Sequence, residues 1–277
     1  MTDRYAVIGN PIAHSKSPFI HSMFAQQTGQ ALEYVKILGD PDDFAGDVRL
    51  FVAAGGRGLN VTVPFKEAAW RLLEDVSERA AQARAVNTLV VRDGGLLYGD
   101  NTDGVGLLRD LADNHGFVFA GRRVVLLGAG GAARGVIRPL LETGLAALIV
   151  ANRTRAKAEA LAAAHAAHGP VVARGLDELA ACGCDLIINA TAAELSDTPL
   201  SLPPGVLAPG GWVYDLFYGA TPTAFCRWGE AQGAARVLDG LGMLVEQAAE
   251  SFWLWRGVRP RTAPVIAALA AARHTHD

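Results

Sequence analysis

Two α/β domains are predicted, the second of them a Rossmann-like, doubly wound parallel sheet. Three observations predict this. A length of 277 residues exceeds what one hydrophobic core usually organises. Short apolar runs alternate with segments of helical period along the whole chain. Near the middle, the branched run Arg123-Val124-Val125-Leu126-Leu127 breaks into a glycine-rich turn that opens a helix.

In the first hundred residues, Tyr5 to Ile8, Glu33 to Leu38 and Gly58 to Val63 read as strands. Pro18 to Thr28, Pro41 to Ala54 and Glu67 to Leu73 read as helices. In the second domain the helix after the glycine turn runs through Leu141, Ala147 to Val150 is the next strand, and Ala156 to His168 is a long Ala-rich helix, completing a βαβ unit. Val171-Val172, Cys184 to Ile188 and Gly211 to Asp215 supply further buried strands, separated by a short helix and the loop at Leu202-Pro203-Pro204. Such alternation predicts parallel sheets. Gly240 to Ala272 is apolar at helical spacing (Leu241, Leu244, Ala248, Phe252, Trp255) and is expected to pack back on the N-terminal unit. The expected domains are residues 1–104 completed by 240–277, and residues 105–239, with Gly104 and Gly240 as candidate hinges where the chain crosses between them.

Charge and composition exclude several classes of partner. With 25 basic against 28 acidic residues the net charge is −3, and no basic run is long enough to track a phosphodiester backbone, so no nucleic-acid partner is expected. Gly, Pro or charge interrupts every apolar run before the roughly 20 residues of a bilayer span. The apolar run Ala6 to Ile8 is too brief for a signal-peptide core, and a cytoplasmic protein is expected. Three cysteines make no disulfide framework, and Cys182-Gly183-Cys184 lacks the neighbours that complete a tetrahedral metal site, so no metal is expected. Surface aromatics such as Trp228 and Trp253 fit a core or an interface equally, which leaves monomer and homodimer both open.

The turn Gly128-Ala129-Gly130-Gly131-Ala132-Ala133 lies between a predicted strand and a predicted helix, the context in which backbone N–H groups and a helix N-terminus receive a pyrophosphate. A dinucleotide is therefore expected. A site selective for NAD carries an acidic residue after the second strand to accept from the ribose 2′-hydroxyl. This chain has Asn152-Arg153-Thr154-Arg155-Ala156-Lys157 there, a set that attracts a 2′-phosphate and predicts NADP. Thr154 reads also as the N-cap of the following helix.

Three other stretches are polar and glycine-rich. In Gly9-Asn10-Pro11-Ile12-Ala13-His14-Ser15-Lys16-Ser17-Pro18, Ser17 suits an N-cap and Pro18 a first helical residue, while Ser15 and Ser17 together offer two hydroxyls to a carboxylate. In Asn60-Val61-Thr62-Val63-Pro64-Phe65-Lys66, Asn60 and Thr62 share one face of a strand and Lys66 follows as the chemical candidate, or as a solvated lysine opening a helix. Ala85-Val86-Asn87-Thr88 and Gly99-Asp100-Asn101-Thr102-Asp103-Gly104 add an amide and a carboxylate, with Asp103 reading equally as a helix N-cap.

GNPIAHSKSP, NVTVPFK, AVNTL, GDNTDGVG, GAGGAA, NRT, INAT and DGLGMLVEQAA resemble, in order and over nearly the whole chain, the motifs of the shikimate dehydrogenase family. The resemblance implies an N-terminal α/β substrate domain and an NADP domain facing each other across a cleft. It implies Lys66 and Asp103 as the catalytic pair, and Ser15, Ser17, Asn60, Thr62, Asn87 and Gln247 as substrate contacts. Tyr218 matches a cleft position and Met243 a position near the nicotinamide, though either fits a core residue as well. The implied reaction is reversible NADPH-dependent reduction of 3-dehydroshikimate to shikimate, in chorismate and aromatic amino-acid biosynthesis. A ketone that receives hydride builds negative charge on oxygen, which a protonated Lys66 stabilises while Asp103 holds it in place.

The chain departs from the family at Ala192-Ala193-Glu194-Leu195, where a Ser- and Gly-rich turn is common, and at Lys157, where many members carry Arg. The competing readings are an NAD-dependent quinate/shikimate dehydrogenase, which favours an acidic residue over Arg153, and a non-catalytic ligand-sensing homologue, which predicts loss of Lys66 or Asp103. A tetrahydrofolate-linked dehydrogenase fits the small-carboxylate hydroxyl sets poorly.

Overall fold

The computed structural model describes residues 2–191 and 202–273. The chain forms two compact units, Met1–Gly106 with Leu244–Ala268, and Leu107–Met243 with Leu269–Asp277.

The first unit runs β1 (Asp3–Gly9), α1 (Ser17–Thr28), β2 (Leu32–Leu38), α2 (Phe44–Ala53), β3 (Gly56–Val61), α3 (Lys66–Leu72), β4 (Asp75–Val76), α4 (Glu78–Ala83), β5 (Thr88–Val91) and β6 (Leu97–Asp100), and ends in the start of α5 (Asp103–Arg109). Its sheet has the order β2-β1-β3-β5-β6-β4. β1 pairs in parallel with β2 and β3, and as an inner strand it is buried from Tyr5 to Gly9. One strand departs from the expected parallel pattern: β5 pairs antiparallel with both β3 and β6, while β4 pairs in parallel with β6. Arg92 N donates to Leu96 O at 2.8 Å to close that hairpin, and Gly94 and Gly95 take the positive φ the turn needs. Ile8, Leu59, Val61 and Leu89 from the sheet meet Phe44, Val48, Phe51 and Phe65 in the core. α2 is shorter than its pattern because Asp43 caps it, accepting from Gly46 N at 2.9 Å.

The second unit runs β7 (Arg123–Leu127), α6 (Gly131–Leu141), β8 (Ala147–Ala151), α7 (Arg155–His165), β9 (Val171–Arg174), β10 (Cys184–Asn189), β11 (Leu207–Asp215), α8 (Ala224–Ala231) and β12 (Arg236–Leu238). Its sheet is parallel throughout, in the order β12-β11-β10-β7-β8-β9. The first strand, β7, lies beside the fourth, β10, so the winding reverses between them, as in a Rossmann fold. Period-two geometry sorts β7 between two layers: Val124 and Leu126 join one core with Val136, Ile137 and Leu140, and Val125 and Leu127 join the other with Ile149, Ile187 and Phe225. β12 is too short for a sequence pattern, and the Ala-rich helix ends at His165, followed by a 3₁₀ turn over Ala166–His168.

The C-terminal apolar stretch is two helices, α9 (Leu241–Arg256) and α10 (Ala263–Arg273), separated after Gly257 at φ 67°. Within the first unit, Trp255 Nε1 of α9 donates to Leu89 O at 2.9 Å and its ring stacks on Tyr5. Close approach accounts for the glycine at 240, where a Cβ would overlap the Leu216 carbonyl. At Gly242 a Cβ would overlap the buried Asp110 carboxylate, which also accepts from Tyr214 Oη at 2.7 Å. Gly242→Ala is therefore expected to destabilise the protein by about 1–3 kcal/mol through overpacking, checked by urea unfolding.

Candidate active site

Lys66 opens α3 directly after Pro64-Phe65, and its Nζ donates to Asp103 Oδ2 at 2.6 Å, with side chains 24% and 8% exposed. Asp103 is the first residue of α5 and not its cap, because Asn101 Oδ1 accepts the Asp103 backbone N–H at 3.1 Å. The Asp103 carboxylate is thereby left for other partners. Its Oδ1 accepts from Asn87 Nδ2 at 2.8 Å. Asn87 Oδ1 in turn accepts from the Thr102 backbone N–H at 2.9 Å, and since a backbone N–H only donates, this fixes which end of the Asn87 amide faces Asp103. Gln247 on α9 lies within 3.4 Å of both Asn87 Nδ2 and Thr102 Oγ1, and its Nε2 donates to Leu244 O at 2.8 Å.

Asn60 is the next link. Its Nδ2 donates to Ser251 Oγ at 2.9 Å and Thr88 Oγ1 at 3.3 Å, and Thr88 Oγ1 donates to Asn87 Oδ1 at 3.0 Å. Lys66, Asp103, Asn87, Gln247 and Asn60 thus belong to one hydrogen-bonded chain inside the first unit. Thr62 stands one residue beyond β3, and its methyl group fills the space over Gly9. Ser17 is the first residue of α1, whose N-cap position is Lys16 without a side-chain cap; the expected capping role is corrected. Ser15 Oγ instead accepts the Ser17 N–H at 3.3 Å and bonds Ser17 Oγ at 3.2 Å. Thr88, Thr102, Ser251 and Tyr34 complete this network. Thr88 and Thr102 lie in the polar stretches that the sequence singles out beside Asn87 and Asp103, whereas nothing marks Tyr34 and Ser251, because single hydroxyl residues in strands and helices are ordinary.

The second unit carries the glycine turn. Gly128 has φ +105° and packs against the Ala190 carbonyl, where a Cβ would stand 3.0 Å from the oxygen. Ala133 is fully buried against the core. Gly130, the N-cap of α6, differs: among the described residues no atom beyond its chain neighbours lies within 4 Å of where its Cβ would stand, its φ is negative, and no side chain caps the helix. At Gly131 the atom found within 4 Å among the described residues, outside the helix's own backbone, belongs to the Arg134 guanidinium at 3.9 Å. Packing among the described residues therefore does not require a glycine at either position, and the space left there fits an approaching pyrophosphate. Ala129 packs partly buried on the core and Ala132 is exposed.

After β8, Asn152 Nδ2 donates to Thr154 O at 3.0 Å. Thr154 occupies the N-cap position of α7 but makes no side-chain cap, a second correction to the expected capping. Arg155 is bound to Glu159 and Glu178. Arg153 and Lys157 are exposed and form no ion pair among the described residues. Arg174, in register with Ala151 at the end of β9, is a further exposed cation that no sequence signal joins to them. These residues fit a phosphorylated dinucleotide.

Tyr218 and Met243 also belong to this unit. Tyr218 is partly buried with the Arg273 guanidinium 5.7 Å from its ring centroid, and burial raises its phenol pKa. Met243 is partly buried and packs against the unit's core. Burial raises the pKa of the Cys182 and Cys184 thiols, and Cys184 Sγ donates to Val206 O. Residues 192–195, where the chain departs from the family turn, lie outside the described residues.

A Rossmann-type sheet with an open glycine turn, and a separate α/β unit built around a lysine–carboxylate pair, define a dinucleotide-dependent oxidoreductase. Family models described as the shikimate dehydrogenase substrate binding domain, shikimate/quinate 5-dehydrogenase and the shikimate 5′-dehydrogenase C-terminal domain match residues 7–89, 110–197 and 240–270. The chain is 56% identical over 273 residues to the shikimate dehydrogenase (NADP(+)) of Methylococcus capsulatus, covering 99% of this chain and 98% of that one. Among solved structures, the Ael1 enzyme of Pseudomonas putida is 48% identical with a TM-score of 0.91, covering 97% of this chain and 98% of that one. The shikimate 5-dehydrogenase of Thermus thermophilus, in complex with NADP(H) and shikimate, is 34% identical with a TM-score of 0.86, covering 98% of this chain and 100% of that one. The chain belongs to the shikimate dehydrogenase family.

Proposed function

We propose that this protein is an NADP-dependent shikimate dehydrogenase, catalysing the reversible reduction of 3-dehydroshikimate to shikimate. The observation that carries the reading is the Lys66–Asp103 pair, 2.6 Å apart and surrounded by buried amides and hydroxyls, in a chain of this family. NADPH, when bound, supplies the hydride. Gly128 to Ala133 and the N-terminus of α6 hold its pyrophosphate, and Arg153 with Lys157 and Thr154 its 2′-phosphate.

Lys66 donates to the ketone oxygen as negative charge develops there and passes its proton to the resulting alkoxide. Asp103 holds the Lys66 ammonium and offers an acceptor to a neighbouring substrate hydroxyl. Asn87 keeps Asp103 in place by donating to its other oxygen. Ser15, Ser17, Asn60, Thr62 and Gln247 match the hydroxyls and carboxylate of the ring with hydroxyl and amide groups. The setting is chorismate and aromatic amino-acid biosynthesis in the cytoplasm, by a monomer or homodimer. Among the described residues no helix is long and apolar enough to cross a membrane.

Initial rates of cofactor reduction with shikimate test this. NADP is expected to give a rate at least about tenfold above NAD at equal concentration, and Arg153→Ala to shrink that ratio severalfold by removing one phosphate contact. A preference for NAD would support the quinate-type alternative, and no rate with either cofactor would support a sensing role.

A further inference from the structure

In the first unit β2 and α1 meet at a buried ring stack. Tyr34 lies flat on His21, with centroids 4.3 Å and planes 6° apart, and Phe24, Phe252 and Trp255 pack around the imidazole. His21 is fully buried, burial lowers its pKa to about 3, and it faces Asn60 without forming a hydrogen bond of ordinary geometry. It therefore packs as a neutral ring that fixes the plane of Tyr34. In that plane the phenol donates to Asn60 Oδ1 at 2.6 Å.

The nitrogen end of Asn60 is held separately. Nδ2 lies 2.9 Å from Ser251 Oγ, 3.3 Å from Thr88 Oγ1 and 3.4 Å from the Asn87 carbonyl. A carbonyl only accepts, so the end of the amide facing Asn87 O is the nitrogen.

We infer that Tyr34 is a positioning residue for substrate binding: by donating to one lone pair of Asn60 Oδ1 it locks the amide so that its N–H groups are spent inside the protein and the second lone pair of its carbonyl oxygen is left for a ligand. Asn60 then accepts from a substrate hydroxyl and does not donate to a carboxylate.

The identity of the ligand rests on the function proposed above, so the test measures shikimate and NADP binding separately, by calorimetry on the full-length wild type, Tyr34→Phe and Ser251→Ala. Tyr34→Phe keeps the ring on His21 and removes only the hydroxyl. It is expected to weaken shikimate binding about five- to twentyfold, to leave the NADP Kd within about twofold, and to raise KM far more than it lowers kcat. Ser251→Ala removes a partner from the nitrogen end alone, and its loss of shikimate affinity is expected to be smaller. Wild-type shikimate affinity in Tyr34→Phe, or an equal loss in Ser251→Ala, overturns the inference while leaving the function standing. A fall in kcat and in NADP binding alongside shikimate binding makes Tyr34 merely structural and also overturns it. A wild type that binds NADP but not shikimate overturns the proposed function and this inference together.

Discussion

Lys66→Ala is expected to cut kcat at least about tenfold while the shikimate Kd changes modestly, because the ammonium matters most when charge has developed on the ketone oxygen. The geometry sharpens the expectation. Asp103 would keep the Asn87 donor at 2.8 Å and its place at the start of α5, so its carboxylate stays largely where it is and the binding surface survives. Steady-state kinetics with calorimetric binding separates the outcomes. Near-normal turnover removes Lys66 from the chemistry, and a parallel collapse of shikimate binding makes it a substrate contact.

Gly130→Val is the second large effect, and it falls on binding. The valine Cβ would enter space that no atom of the described residues occupies, at a residue with φ −88° and ψ −167°, so neither their packing nor the backbone resists it. Loss of a favourable N-cap costs about 1 kcal/mol. If the turn receives a pyrophosphate, the branched side chain stands where the phosphate oxygens approach the first N–H groups of α6, and the NADP Kd is expected to rise at least about thirtyfold. Gly128→Val is the contrasting substitution: at φ +105° and against the Ala190 carbonyl it is expected to damage the fold itself. Calorimetry and thermal melting of the two variants distinguish them, and wild-type NADP affinity in Gly130→Val would remove the pyrophosphate role.

The Rossmann unit was legible because its signals are local. A buried parallel strand such as Arg123–Leu127 is a continuous apolar run, and the turn after it shows in the glycines. The hairpin of β5 and β6 was not legible: Asn87-Thr88 and Gly99-Asp100 are polar where they enter the buried network, so they resemble turns and hide the strand period. Capping shows the same limit. Ser17, Thr154 and Asp103 each have a cap's side chain near a helix start, but a register of one residue or a competing partner decides which group meets the free N–H, and composition does not carry that. Tyr34 was missed for a different reason. Its interaction joins residues 26 positions apart, and a tyrosine in a strand is already explained by packing.

Both sheets are open, and the strands that end them share a property. Glu33 and Lys36 on β2, Asp75 on β4, Arg174 on β9 and Arg236 on β12 are all exposed charges. A second copy adding a strand to any of these edges would have to desolvate those charges or run them against its own. Aggregation by edge-to-edge pairing is disfavoured from four directions, and the same charges work against a dimer that continues either sheet.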